Sequence, residues 1–118
     1  MRAARHPRRL ARLGLAAALL LAATAASAQD GATDTLKTLY RIALSAEMCG
    51  FPIQSRQSEA LGRAMNRALS ESGLDADGAD KLYLDVDAAL EAEGWDKICA
   101  TDGDWAHGFR ALLAANTK

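Results

Sequence analysis

The sequence predicts an all-α fold: a compact four-helix domain with one disulfide, preceded by a signal peptide that is cleaved. Three observations lead there. Four segments place apolar residues three and four apart, the spacing of one helical face. No segment alternates apolar and polar residues over a useful length, so no strand is expected. Between the four segments stand Gly50-Phe51-Pro52, Gly73 and Gly94, residues that stop helices.

Residues 1–12 hold Arg2, Arg5, Arg8, Arg9 and Arg12 and no acid, and residues 13–25 (LGLAAALLLAATA) carry no charge. Ala26-Ser27-Ala28 follows, with small residues where a signal peptidase reads them, so the expected cleavage lies between Ala28 and Gln29. The competing reading is an uncleaved anchor, but the apolar run is shorter than the roughly 20 residues a span requires. Arg8-Arg9 raises a twin-arginine route. With no cofactor motif downstream, the general secretory route to the periplasm is preferred. The mature domain is then residues 29–118.

The first helix is expected over about 34–49, after a frayed lead-in at 29–33. Thr33 or Asp34 would cap it, Gly50 would close it, and Leu36, Leu39, Tyr40 and Ala43 would share its inner face. Phe51-Pro52 forces an extended connection, because a residue before proline avoids the α region. The second helix is expected over 56–72, with Ser55 as N-cap, Gly73 at its end, and a stripe of Leu61, Ala64, Met65, Ala68 and Leu69. The third runs over 76–93 from an Asp75 cap to Gly94, with Ala79, Leu82, Tyr83, Val86 and Leu90 inward. Trp95 and Ile98 form a short turn that delivers Cys99. The fourth runs over 103–115, capped by Thr101 or Asp102, with Trp105, Phe109, Leu112 and Leu113 as its stripe.

Cys49 and Cys99 are the only cysteines, which in an exported chain reads as one disulfide. Closing a loop of about 50 residues stabilises a fold by about 4 kcal/mol in the chain-entropy account. That is a large contribution for a domain this small. There is no C-x-x-C for redox chemistry and no C-x-x-C-H for haem attachment.

Charge narrows the function classes. The whole chain has 14 basic and 15 acidic residues; after cleavage nine bases face all 15 acids, a net charge of −6. Nucleic acids and anionic membranes attract lysine and arginine, so neither is an expected partner of the mature form. The one histidine of the mature part, His107, falls opposite the apolar stripe of its helix, as a solvated side chain would. Nothing marks a nucleophile for it, so an enzyme is not expected. Asp102, Asp104 and His107 fall short of a metal site, because zinc takes three or four convergent ligands. Asp75-Ala76-Asp77-Gly78-Ala79-Asp80 fails as a calcium loop. With Gly78 at position 6, Gly73 and Leu84 occupy positions 1 and 12, where the ligands belong. No cofactor or metal is expected.

Glu47 and Glu93 are the candidate pH-sensing carboxylates. Both sit in the last turn of a helix near its apolar face, where negative charge opposes the macrodipole. They either reach water at the helix end or are partly desolvated and protonate as the surroundings acidify. Leu84 points away from the stripe of its helix, either as an ordinary exposed leucine or as part of a contact patch.

The stretch from Tyr40 to Phe51 (YRIALSAEMCGF), followed by Gly94-Trp95-Asp96-Lys97-Ile98-Cys99, resembles small uncharacterised exported single-disulfide helical proteins of Gram-negative bacteria. That resemblance implies the fold and transfers no functional residue. The layout of the two cysteines is also loosely similar to the HdeA family of periplasmic acid-stress chaperones. The expected function is a small periplasmic, non-enzymatic binding or stress protein with a protein partner or client, acid-responsive chaperoning being one form. Protonating 15 carboxylates would turn −6 into about +9, or +10 with His107, and repulsion would loosen the helices. The alternative is a specific protein-interaction module: an inhibitor, immunity or accessory subunit.

Overall fold

The first helix is much longer than its apolar stripe predicts. The structure, a computed structural model, describes residues 6–118, with side chains from residue 26 onward. Its elements are α1 (His6–Cys49), α2 (Ser55–Ser72), α3 (Ala76–Glu93), the one-turn α4 (Trp95–Ile98) and α5 (Asp104–Asn116). The arginine-rich and apolar parts expected to form a signal peptide, residues 1–25, lie outside the described side chains. Ala26, Ala28 and Gln29 are helical and exposed. Among the described residues no helix is long and apolar enough to cross a membrane.

The expected frayed lead-in at 29–33 is corrected: these residues continue α1. Thr33 and Asp34 cap nothing. Thr33 Oγ1 donates to the Gln29 carbonyl (2.9 Å), and Thr35 and Thr38 donate to Gly31 and Asp34 (3.0 and 3.2 Å). A threonine in mid-helix uses this bond to the carbonyl four residues back, so the same residue type serves as cap or interior. Ala32 is buried, giving the upstream turn a packing reason to persist.

The other boundaries follow expectation with shifts of one or two residues. The N-cap of α2 is Gln54 rather than Ser55. The Gln54 carbonyl accepts from Ser58 N–H (2.9 Å), and the Gln54 N–H donates to the Gln57 side chain (3.2 Å). At the other end Gly73 takes φ 71°, a left-handed conformation that other residues adopt at a cost. Ser72 Oγ donates to the Leu69 carbonyl (2.7 Å) and accepts from Leu74 N–H (3.3 Å), which fixes the turn. Asp75 caps α3 as expected, its Oδ1 accepting from Gly78 N–H (2.8 Å). The N-cap of α5 is Gly103, not Thr101 or Asp102. Its carbonyl accepts from His107 N–H, while the backbone from Ala100 to Gly103 is already closed into a turn.

Helix directions can be read from the contacts. Gln29 lies beside Gly73, so the start of the described part of α1 meets the end of α2. Tyr40 meets Tyr83, Leu44 meets Leu90 and Cys49 meets Cys99, so α3 advances with α1. Phe51 meets Phe109, and Asn116 lines a depression with Thr35, Arg67 and Glu71, so α5 runs back alongside α2. The four long helices thus run alternately up and down, and α1 packs against all the others.

That central position explains which core residues the stripe missed. Leu36, Leu39 and Ile42 are fully buried with Leu61, Ala64, Ala68, Leu82, Phe109 and Leu113 in the main core. Leu44 faces a second, smaller core with Leu90 and Ile98. A helix covered on several sides needs apolar residues on several sides, so one inner face describes it incompletely. Each fully buried leucine contributes roughly 1.5–3 kcal/mol. Tyr83, expected inward, is 37% exposed, its ring edge-on to Tyr40 at 5.4 Å.

Candidate functional site

The smaller core carries most of the polar chemistry of the fold. Cys49 ends α1 and Cys99 follows α4 as its C-cap. Their disulfide, with Cα atoms 5.0 Å apart, holds the short helix against the end of the central one. Ile98, one residue before Cys99, is thereby pressed onto Leu44 and Leu90, with Val86, Trp95 and Trp105 at the margins.

One turn up α1, Arg41 links three elements. Its Nη2 lies 3.2 Å and 3.1 Å from Oε1 and Oε2 of Glu93, the last residue of α3. Its guanidinium carbon stands 4.4 Å from the centroid of the Trp105 ring on α5. A cation over an indole is drawn to the negative face of the ring. The same side chain therefore joins α1 to α3 by charge and to α5 by its planar face. Trp105 also meets Phe109 edge-on at 6.4 Å and packs against both cores, so it forms the seam between them.

Three buried polar atoms of this region have no hydrogen-bond partner among the described residues: Arg41 Nε, Ser45 Oγ and Trp105 Nε1. Ser45, four residues after Arg41, is fully buried. Ser72, the other buried serine, is satisfied by its turn. Two openings flank the cluster. A groove of about 200 Å³ runs between α1 and α3, lined by Lys37, Thr38, Arg41, Val86, Ala89 and Leu90. A cleft of about 410 Å³ lies beyond Glu93, lined by Lys97, Asp102, Asp104 and Trp105 among others.

The two candidate carboxylates part company here. Glu47 is exposed, the arrangement in which the side chain reaches water at the helix end rather than being partly desolvated. Glu93 also reaches the surface, with 37% of its side chain exposed, and its neighbour is a guanidinium rather than an apolar wall. His107 is exposed on α5. Asp102, Asp104 and His107 do not converge, and among the described residues no three His, Cys, Asp or Glu side chains group as metal ligands. Tyr40 has its hydroxyl pKa raised above the ordinary 10.0, by burial first and by the charge of Asp80 second.

Charge is distributed unevenly. Residues 75–104 hold ten acids against Lys81 and Lys97, a net charge of −8, whereas residues 29–74 hold five of each sign. The acidic stretch is α3, α4 and the start of α5. In its midst Leu84 is 63% exposed.

Arg41, Ser45 and Trp105 form a group that the apolar stripes of single helices do not reveal. One signal was present: Arg41 and Ser45 are four apart on a helix whose other positions from Leu36 to Leu44 are largely apolar. No family model matches the chain, and neither does any curated protein or solved structure.

Proposed function

We propose that the chain is exported, loses residues 1–28, and acts in the periplasm as a non-enzymatic binding or stress protein that acid opens. A disulfide is compatible with an oxidising, exported location. The observation that carries the reading is the attachment of α3. Among the described residues Arg41–Glu93 is the one ion pair between different elements; Asp34–Lys37 and Lys81–Asp85 lie within single helices. The helix that carries six of the 15 acids is thus held to α1 by one charge pair and by the apolar contacts of Leu82 and Leu90.

Acid acts on that balance through the overall charge: as the carboxylates of residues 29–118 protonate, the net charge passes from −6 to about +9. The remaining bases then repel one another in a domain that has become strongly cationic. Opening would uncover Leu82, Leu90 and the seam at Trp105, while Cys49–Cys99 keeps the chain compact enough to close again. Glu47 has no part in this account.

The test is a pH titration of the oxidised mature protein, followed by far-UV circular dichroism, ANS fluorescence and protection of an acid-labile enzyme from aggregation. The expected result is ANS binding and protection near pH 2–4 with helical signal partly retained. Glu93→Gln, which lacks the charge at every pH, should open at a higher pH than the wild type. Identical ANS and dichroism signals at pH 7 and pH 2–3 would end the acid-responsive reading. A second reading, a specific protein-interaction module, is favoured by the exposure of Leu84 amid like charges.

A further inference from the structure

The outer face of α3 combines a protruding apolar side chain with a dense field of one sign. Leu84 is the most exposed large apolar residue among those described, at 63%. Its helical neighbours are Asp80 four residues before, Asp87 three after, Ala88 four after and Glu91 seven after. Asp80, Ala88 and Glu91 are exposed and Asp87 is half-buried. The single cation of the helix, Lys81, is occupied by Asp85 at 2.8 Å. Tyr83, one residue before Leu84, has 37% of its area open. Among the described residues Leu84 belongs to neither apolar core.

We propose that this face docks a basic amphipathic segment of a partner protein. The partner's lysines or arginines meet Asp80, Asp87 and Glu91, and one of its apolar side chains covers Leu84. Charge complementarity chooses this occupant. A polyanion or an anionic membrane is repelled by a region of net charge −8, and the α3 face of a second copy meets the same repulsion. An apolar anchor ringed by charge suits such docking, because the ring steers the encounter and the anchor supplies residence. The proposal rests on the interaction-module reading. It operates at neutral pH and is independent of acid opening.

The experiment uses the oxidised mature protein at pH 7 and a fluorescently labelled, 20-residue designed helix with lysines on one face and leucines on the other. A second peptide carries glutamate in place of each lysine. Anisotropy should show binding of the lysine peptide alone, weakening as salt is raised. Leu84→Ser should weaken it about tenfold, the ratio expected for one leucine withdrawn from a contact. Asp80→Asn combined with Glu91→Gln should weaken it and flatten the salt dependence. Met48→Ser, at an apolar side chain 56% exposed outside α3, should leave it unchanged.

Equal binding by wild type and Leu84→Ser would reduce the effect to bulk charge and overturn the proposal. So would an equal loss with Met48→Ser. Self-association without peptide, seen by sedimentation, would assign the face to the arginine-bearing α2 of a second copy (Arg56, Arg63, Arg67) and overturn it too. If the lysine peptide does not bind at all, the basic partner is rejected. A single stoichiometric partner recovered from periplasmic extract would then keep the wider interaction-module reading alive.

Discussion

The main core and the disulfide end of this domain are built on different principles. The main core is apolar throughout, with Leu36, Leu39 and Ile42 of α1 closed over by α2 and α5 and the Phe51–Phe109 pair at one end. The disulfide end has only Leu44, Leu90 and Ile98 fully inside and adds a covalent link, a cation over an indole, an ion pair and three unpartnered polar atoms. The first region gains by excluding water. The second is too small for that alone and relies on directional contacts and a cross-link.

The largest expected effect removes the cross-link. Cys49→Ala with Cys99→Ala should lower the unfolding free energy by about 4 kcal/mol. Urea denaturation of oxidised and variant proteins measures it. A loss below about 1 kcal/mol would mean that the small core holds α4 and α3 without covalent help.

Next comes a truncation inside the apolar half. Leu39→Ala should cost about 3 kcal/mol, since its side chain is fully buried and α1 is covered on several sides, leaving little room to collapse. The same denaturation experiment reads it.

The third prediction has the opposite sign and sharpens the contrast most. Ser45→Ala should raise stability by up to about 1 kcal/mol, because it deletes a buried hydroxyl without a partner and leaves the methyl-sized space filled. If the variant is destabilised instead, the hydroxyl is engaged, and the polar character of this end is structural rather than strained.

The smallest effect concerns Tyr40. Its raised pKa means that the folded state holds the phenolic proton more tightly than the unfolded chain does. The associated stability is complete below the ordinary value of 10.0 and is lost as pH rises through the folded value. Tyr40→Phe should remove that share of the alkaline loss, measured as the change in thermal midpoint between pH 9 and pH 11. An unchanged alkaline loss would place the cause elsewhere.

Much of this architecture was legible in the residues themselves. The α2 stripe follows directly from helical spacing, because α2 has one inner face and Leu61, Ala64 and Ala68 lie on it. Asp75, Gly73 and Gly94 mark boundaries through local chemistry that needs no neighbour. The pairing of Cys49 with Cys99 follows from there being only two cysteines. Less legible was α1, whose one predicted face became several, and whose threonines serve as interior residues rather than caps. The candidate site was legible only in pieces. Glu93 was singled out by its place near an apolar face, yet its partner lies 52 residues away on another helix.

By itself, then, the sequence determined the helical class, the order of the helices, the approximate limits of all but the first, the disulfide and the acidic balance of residues 29–118. All of these depend on the residue types at hand or on neighbours three or four positions away. Only the tertiary structure decided that α1 is the centre of the domain, that Arg41 lies between Glu93 and Trp105, that Ser45 is buried with no hydrogen-bond partner among the described residues and that Glu47 is exposed. Those outcomes depend on how helices are laid side by side. Helical spacing says which side chains share a face, and says nothing about which face of another helix they will meet.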